Sequence, residues 1–403
     1  MLLNDIAPRT LPTRVVSNDD SHAEHNMTFR RPEFHRASAL AATCACIIVP
    51  SIVGSQSAPN RPAPTRIEVA PNIYLFQTQR YGDAGLDGNS VVIVSNDGVL
   101  VFDANGTPAA ATAVLAEIRK LTTQPVKYLV LSHWHWDHWY GAEIYRKAFP
   151  SAQVIAHEGA RALMAGPAEE FNRPFIETQF PEHLKELDAQ LTKARESAAP
   201  DSAVAALRDH IVLDRWFLDQ KKNASLTIPT RTYTDSLPLM LGGRRIVLRH
   251  VDRAITPGDT FLWLEDGKIA IVADLLINPM TYGLFCYPSG WLRTLETIDA
   301  LNPAVIVPGH GTPMRDKVRL SATMQLIRRE REIAAALKRD GKSVAETKAA
   351  ILADSGVLAL RETLTGGNVA YREPFRTYLV DWVVPRIYQE IDGTLDNSIP
   401  KAP

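Results

Sequence analysis

Short apolar runs alternate with helical patterns through the middle of the chain. Two Gly-containing turns, at Asn96-Asp97-Gly98 and Asp266-Gly267, predict hairpins. Apolar spacing predicts helices at 107–121, with Ala113, Ile118 and Leu121 on the inner side, and at 142–149 and 291–301. The apolar runs predict strands at 73–76, 90–94, 99–102, 126–131, 153–156, 237–241, 246–251, 261–264, 269–273 and 305–307. This alternation is typical of a layered α/β protein.

Two stretches are helical in pattern rather than mixed. Within 161–223, Leu184, Leu187 and Leu191 fall at helical spacing, which predicts a helical insertion whose apolar stripe packs on the body. A helical C-terminal extension is predicted over 314–403, with breaks near Gly341 and Gly366-Gly367. Both stretches could cap a pocket or form a homodimer interface, and the sequence leaves these alternatives open.

The N-terminal region has the pattern of an export signal. Residues 1–26 are polar and patternless, so we interpret Met27 as the true start and 1–26 as an over-extended start. Arginines then precede an apolar stretch, small residues and a Pro-rich linker at 59–66, so 27–58 is predicted as a signal peptide. The apolar part is too short for a stable membrane anchor. We therefore expect a periplasmic or secreted protein, with Cys286 the one cysteine left after cleavage.

Composition narrows the classes of partner. The 403 residues include 45% apolar residues, enough for a large core, and 44 basic against 45 acidic residues. Nucleic-acid binding normally requires a basic excess, so no nucleic-acid partner is expected. A small-molecule substrate fits this balance.

The segment Ser132-His133-Trp134-His135-Trp136-Asp137-His138 carries the clearest chemistry. It packs three imidazoles and a carboxylate directly behind the apolar run 126–131, which predicts a polar cluster at the end of a buried strand. Imidazole and carboxylate together are the ligands of a zinc-type site. Water bound to such a metal can become a nucleophile near neutral pH. The segment therefore predicts a metal site.

Two other polar residues also follow apolar runs. Asp274 ends the run 269–273, and His310 follows the run 305–307. Strand ends that converge on one edge of a layered α/β protein are where ligand sites form. Asp274 and His310 are therefore candidates for the same site as the histidine cluster.

These segments together resemble the metallo-β-lactamase superfamily of hydrolases, in order, over roughly residues 67–311. The His-x-His-x-Asp-His cluster, the strand-end Asp and the Gly-His all occur in this sequence. The resemblance implies a four-layered αβ/βα sandwich over 67–313. It also implies that one or two zinc ions bind at one edge of the sandwich, and it leaves open iron or manganese in place of zinc. It further implies that His133 and His135 bind metal one, that Asp137, His138 and His310 bind metal two, and that Asp274 bridges them.

The chain departs from the superfamily pattern at one position. Members usually carry His-Thr-x-Gly-Asp, whose histidine completes metal one, but here Ile255 is aligned with it, and His250 falls five positions earlier. We therefore expect water or a vacancy at the fourth position of metal one. The hypothesis is that metal two binds tightly and metal one weakly or not at all, and that Ile255→His raises the metal count.

The resemblance implies a zinc-type metallohydrolase in which metal-bound hydroxide attacks an ester, thioester, lactone or related bond. Asp137 is the expected catalytic residue, because it could both bind metal and orient the hydroxide. A non-catalytic metal- or ligand-binding protein with a degraded metal-one site is the alternative, and a β-lactamase proper is disfavoured by Asp274. The aromatic residues are predicted to wall an apolar substrate pocket, with packing beneath the loop as the alternative: Trp134, Trp136, Trp139, Tyr140, Tyr282 and Tyr287.

Overall fold

The protein is represented by a computed structural model that describes residues 61–79 and 87–399. The predicted start at Met27 and the signal peptide at 27–58 lie outside these residues, as does the first part of the predicted linker. Within the described part of the chain, the strands form two sheets.

The first sheet contains the N-terminal strands, arranged in the order in which they occur in the chain. Its first four strands pair antiparallel, and β4 through β7 pair parallel. The strands are β1 (Thr65–Ala70), β2 (Ile73–Gln77), β3 (Ser90–Ser95), β4 (Gly98–Phe102), β5 (Val126–Val130), β6 (Gln153–His157) and β7 (Arg231–Tyr233). The parallel strands β4 and β5 bring their carboxyl ends to one edge of the sheet.

The second sheet has the order β12-β11-β10-β9-β8. Its strands are β8 (Ser236–Leu241), β9 (Arg244–Arg249), β10 (Phe261–Leu264), β11 (Ile269–Ala273) and β12 (Val305–Pro308). All its pairs are antiparallel except β11 with β12, which is parallel. Here, too, two neighbouring carboxyl ends lie side by side.

Successive side chains of a strand point to opposite faces of its sheet, and the two faces are buried in different apolar clusters. In β4, Leu100 and Phe102 belong to a buried cluster that also contains Leu262 and Ile271 of the second sheet, so this cluster lies between the sheets. Val99 and Val101 point the other way, toward the helices α1 (Pro108–Leu121) and α3 (Ala142–Ala148).

The outer face of the second sheet is covered by α8 (Pro288–Ala300), α9 (Val318–Arg339) and the helices that follow them. Helix, sheet, sheet and helix thus form four layers, and the predicted αβ/βα sandwich is confirmed.

The predicted helical insertion consists of α4 (Glu158–Met164), α5 (Pro167–Pro174), a π-helical turn (Phe175–Gln179), α6 (Phe180–Glu196) and α7 (Asp201–Lys222). Leu184, Leu187 and Leu191 are buried against Phe217 of α7. The same cluster includes Ala110 of α1, so the apolar stripe packs on the body as expected.

The C-terminal extension is also helical, as predicted. It comprises α9, α10 (Val344–Ala353), α11 (Ser355–Thr365), a 3₁₀ turn (Val369–Tyr371), α12 (Arg372–Phe375), a π-helical turn (Arg376–Asp381) and α13 (Val383–Ile391). The predicted breaks occur at Gly341 and Gly366, and both have positive φ values. No helix in the described ranges is long and apolar enough to cross a membrane.

Several details differ from the sequence predictions. The inner face of α1 is formed by Val114, Leu115 and Ile118 rather than by Ala113 and Leu121, which are only half-buried. Strand β7 was not predicted, because three residues are too few to show an alternation. Strand β1 was not predicted either, and the predicted linker 59–66 is wrong at Thr65 and Arg66, where this strand begins. Strand β9 ends at Arg249 rather than at residue 251.

Candidate metal centre

The predicted metal-binding side chains follow three strand ends that the fold brings together. His133 lies three residues after the end of β5, Asp274 directly follows β11, and His310 lies two residues after β12. The short helix α2 (Trp136–Trp139) carries Asp137 and His138 back toward the same point. All six predicted ligands thus meet in two groups that could each hold an ion: His133, His135 and Asp274, and Asp137, His138 and His310.

The second group has the dimensions of a tetrahedral cage once Asp274 is included. His138 Nε2 lies 3.2 Å from Asp274 Oδ1 and 3.4 Å from Asp137 Oδ2. His310 Nε2 lies 3.0 Å from Asp137 Oδ2 and 3.5 Å from Asp274 Oδ1. Zinc bonds to nitrogen and oxygen imply ligand–ligand separations of about 3.3–3.6 Å in a tetrahedron. These four separations are within a few tenths of an ångström of that spacing.

The other oxygen of Asp274 faces the first group. Its Oδ2 lies 3.6 Å from His133 Nε2, so the two carboxylate oxygens point at different groups, as a bridging ligand requires. Both oxygens are buried and accept no hydrogen bond, and His133 Nε2 and His138 Nε2 are likewise buried without a partner. Such groups are costly to bury unless a cation compensates them. The residues therefore fit a two-metal site.

Asp103 and Ser132 hold two of these histidines in place. Asp103 accepts hydrogen bonds from Ser132 N and Ser132 Oγ, both at 2.7 Å, and lies 2.8 Å from His138 Nδ1. The Ser132 hydroxyl lies 2.8 Å from His133 Nδ1. Each of these two imidazoles thus has its Nδ1 hydrogen-bonded and its Nε2 directed at its own ligand group. This arrangement orients metal-binding histidines. The sequence interpretation missed Asp103, although it follows β4 as Asp274 follows β11.

The loop that carries Gly88 and Asn89 is hydrogen-bonded to the segments that carry the candidate ligands. Gly88 N donates to the Asp137 carbonyl at 2.9 Å, and Asn89 N donates to the Gly309 carbonyl at 2.7 Å. A side-chain carbon on Gly88 would lie 2.6 Å from the His138 ring. The loop therefore packs so tightly on the ligands that this position requires glycine.

The electrostatics of the metal-free cluster divide the histidines into two kinds. Burial lowers the pKa of His135 to about 4 and that of His133 well below its usual range. Burial also opposes charge on His138 and His310, but the nearby Asp274 and Asp137 carboxylates outweigh it and raise both pKa values. In the metal-free protein, protons on His138 and His310 thus supply the positive charge that a metal ion would supply. A metal ion must displace these protons in order to bind.

The predicted aromatic residues have different positions around the ligands. Trp139 is completely buried and donates its indole N–H to the Trp134 carbonyl at 2.8 Å, as expected of packing beneath the loop. Trp134 lies edge-on to His135, with ring centroids 4.7 Å apart, and is stacked with Phe285. It lines a small cleft with Ile255, Phe285 and Tyr287.

Trp136 and Tyr140 contact the helical insertion. Lys221 Nζ lies 3.9 Å from the centroid of the Trp136 ring and 3.4 Å from that of Tyr140. Lys221 is buried, its Nζ has no hydrogen-bond partner, and burial lowers its pKa well below the usual range. The insertion thus docks directly on the metal loop, a contact that no sequence pattern predicted.

The two tyrosines after Asp274 contact the C-terminal extension. Tyr282 packs against Tyr378 and Trp382, and its hydroxyl lies 3.0 Å from His135 Nδ1. Burial, together with Asp274 and Asp137, raises the pKa of Tyr282 well above its usual range. The Tyr287 hydroxyl donates to the Asp396 carbonyl at 2.7 Å, and residues 397–399 close the cleft beside Trp134. The C-terminal extension therefore covers the metal-one side.

Other residues weighed from the sequence lie outside the two ligand groups. Ile255 is completely buried in the cluster beneath the second sheet. His250 stacks on His157 with ring centroids 3.8 Å apart. Burial raises the pKa of the Cys286 thiol, in line with a small apolar residue rather than a nucleophile. The side chain of His183 in the insertion is 14% exposed and lies 3.9 Å from Asp214, because α6 packs against α7.

Residues 83–310 match the family model of the metallo-β-lactamase superfamily, which covers more than half of the chain. The chain belongs to the metallo-β-lactamase superfamily. The superfamily consists of hydrolases, and the predicted resemblance is confirmed.

One curated relative and two solved structures illustrate the range of this superfamily. The chain is 25% identical to a linear primary-alkylsulfatase from Pseudomonas sp. (strain ATCC 19151) over 248 residues, which cover 59% of this chain and 44% of that enzyme. A metallo-β-lactamase from Pontibacter korlensis aligns with a TM-score of 0.46 and 16% identity, over 66% of this chain and 99% of that one. FIM-1 from Pseudomonas aeruginosa, in its mono-zinc form, aligns with a TM-score of 0.47 and 11% identity, over 68% and 98%.

Proposed function

We propose that this protein is a zinc-dependent hydrolase of ester-type bonds, with sulfate esters, thioesters and lactones included in that class. The observation that supports the proposal most strongly is the pair of ligand groups that share Asp274, whose oxygens are buried and unpartnered. Two metal ions bound in a buried site would promote hydrolysis, because bound cations lower the pKa of water and polarise the oxygen of the bond under attack.

Asp137 is the proposed catalytic residue. Its Oδ2 belongs to the ligand cage, 3.0 Å from His310 Nε2, and the other oxygen of the same carboxylate can accept a hydrogen bond from the attacking water. That hydrogen bond would align the water and hold its proton at the carboxylate. Asp103 keeps the His138 ring in the orientation that the cage needs, so its role is to position.

The apolar side chains near the ligand groups favour a substrate that carries an apolar group next to the bond to be hydrolysed. Trp134, whose ring lies against His135, lines a small cleft together with Ile255 and Phe285. The similarity to an alkylsulfatase makes a sulfate ester of a linear alkyl alcohol the first candidate. Acyl esters of comparable apolar character are the second. Export to the periplasm remains part of the proposal, on the predicted signal peptide alone.

A panel of substrates tests this function. Protein purified without chelators is assayed on a linear alkyl sulfate, an aryl acyl ester, a thioester, a lactone and a β-lactam, before and after removal of metal. We expect turnover of at least one ester-type substrate that is lost with the metal and restored by zinc. Asp137→Ala should abolish it, whereas Asp209→Ala, at an exposed carboxylate of the insertion, should not.

Turnover that survives complete metal removal would contradict the proposal. Failure to hydrolyse any of the five classes in the zinc-loaded protein would favour the alternative, a metal- or ligand-binding protein without catalytic activity.

A further inference from the structure

The metal-one group is one protein ligand short of the metal-two group. Asp137, His138, His310 and one oxygen of Asp274 would surround metal two, whereas His133, His135 and the other oxygen of Asp274 would surround metal one. Among the described residues, no further His, Cys, Asp or Glu joins that group. Ile255, aligned with the usual histidine, has no ligand atom.

A phenol lies beside the metal-one group, in contact with His135. The Tyr282 hydroxyl is 3.0 Å from His135 Nδ1, the same separation as between the metal-two ligands His310 Nε2 and Asp137 Oδ2. Adjacent ligands of one tetrahedral zinc are about 3.3–3.6 Å apart. For an ion bound through His135 Nδ1, the hydroxyl lies within a few tenths of an ångström of the spacing expected of the neighbouring ligand.

The surrounding packing holds this phenol in place. The Tyr282 ring contacts Tyr378 and Trp382, with centroids 6.1 Å and 5.9 Å away. The next residue, Gly283, donates its N–H to the Tyr378 carbonyl at 2.9 Å, and a side-chain carbon on it would lie 2.4 Å from Val383. The segment is thus fastened to the C-terminal helices, and the hydroxyl has little freedom to turn away.

We propose that Tyr282 is the fourth protein ligand of metal one and replaces the imidazole that Ile255 removes. The inference rests on the proposed metal centre but not on the nature of the substrate. A cation bound there would take the phenol oxygen as a ligand in exchange for its proton, which would pass to solvent. Tyr282, His133, His135 and Asp274 would then supply four protein ligands, so an ion could be held without help from residue 255.

Zinc titration of the metal-free protein tests the proposal, with two quantities recorded: equivalents bound and the ultraviolet difference spectrum of ionised tyrosine. For the wild type we expect about two equivalents, with one phenolate appearing as metal one fills. In Tyr282→Phe the phenolate signal should vanish, and zinc affinity at one site should fall by more than the roughly 10–100-fold typical of losing a hydrogen bond that merely orients a ligand.

Two further variants complete the design. Tyr145→Phe is the matched control, because Tyr145 is also a buried tyrosine, its hydroxyl has no hydrogen-bond partner, and it should behave as the wild type. The double variant Ile255→His with Tyr282→Phe should regain the second equivalent without a phenolate signal, which would show that the site lost a ligand and not its fold.

Three results would overturn the proposal. Two equivalents of zinc bound by the wild type without a phenolate signal would show that Tyr282 only orients His135. A Tyr282→Phe protein that keeps both equivalents at wild-type affinity would show the same. A wild type that binds no zinc would remove the metal centre and the proposed function together. Two equivalents with a phenolate, but no turnover of any substrate, would leave the ligand assignment standing and contradict only the function.

Discussion

Gly309 lies between the end of β12 and the ligand His310, and the structure leaves no room there for a side chain. A carbon added at this position would lie 2.0 Å from Asp274 Oδ1, 2.6 Å from the carbonyl carbon of Ala273 and 2.8 Å from Asp274 N. Two of these three atoms belong to the backbone, so rotation of a side chain cannot relieve the overlap. Gly309→Ala must therefore move the end of β11 away from the end of β12.

The required movement is large compared with the tolerance of a metal site. Non-bonded heavy atoms are normally about 3.5 Å apart, so the Asp274 oxygen must move by about 1.5 Å. Functional sites need their groups within about 0.5 Å of the productive position. Because Asp274 belongs to both ligand groups, we expect both sites to lose zinc. Overpacking of this kind should lower the free energy of unfolding by about 1–3 kcal/mol.

The assay is metal content per folded chain, with chemical denaturation measured in parallel. Gly166→Ala is the control, since a side-chain carbon there would have no neighbour within 4 Å, and it should keep wild-type zinc. A Gly309→Ala protein that folds and binds as much zinc as the wild type would refute the placement of Asp274 between the two groups.

Three other predictions follow from the contacts of the ligands and the loop. Asp103→Asn weakens the hydrogen bond to His138 Nδ1 and should reduce zinc affinity by roughly 10–100-fold in competition with a chromophoric chelator; an unchanged affinity would contradict its positioning role. Because the pKa values of His138 and His310 are raised, zinc must displace their protons, so affinity should fall as the pH is lowered from about 8 to about 6 and not stay level. The lowered pKa of Lys221 means that the folded state binds fewer protons than the unfolded state, so stability should rise with pH up to its usual pKa of 10.5, by at most about 1.4 kcal/mol per pH unit. Lys221→Met should remove that slope and stabilise the protein at neutral pH in denaturant titrations, and an unaltered slope would contradict the assignment.

The candidate ligands could be predicted from the sequence because each one breaks a local pattern. His133, Asp274 and His310 all come directly or closely after a buried apolar run, where a polar residue has no reason to occur unless the strand ends there. Asp103 gives the same signal after β4, but a single Asp after a strand is also common in turns, so the sequence does not distinguish the two. Its partners Ser132 and His138 are 29 and 35 residues away, and only the fold brings them together.

The rest of the site depends on contacts between residues far apart in the chain, which produce no periodic pattern in the sequence. Lys221 is at the end of α7, where lysine is usually placed to face solvent, yet it is buried against Trp136 and Tyr140. The contact between Tyr282 and His135 depends on how Tyr378 and Trp382 of the C-terminal extension pack, 96 and 100 residues further along the chain. Apolar stripes predicted that these helices pack on the body, but not which residues they press against the metal loop.

Metal content per chain, measured by elemental analysis on wild type and Asp274→Ala purified side by side without chelators, tests the central claim most directly. The shared carboxylate predicts about two equivalents of zinc in the wild type and a loss that affects both sites in Asp274→Ala. A wild type without metal even after reconstitution, or an Asp274→Ala protein that keeps both equivalents, would contradict a dinuclear centre built around Asp274.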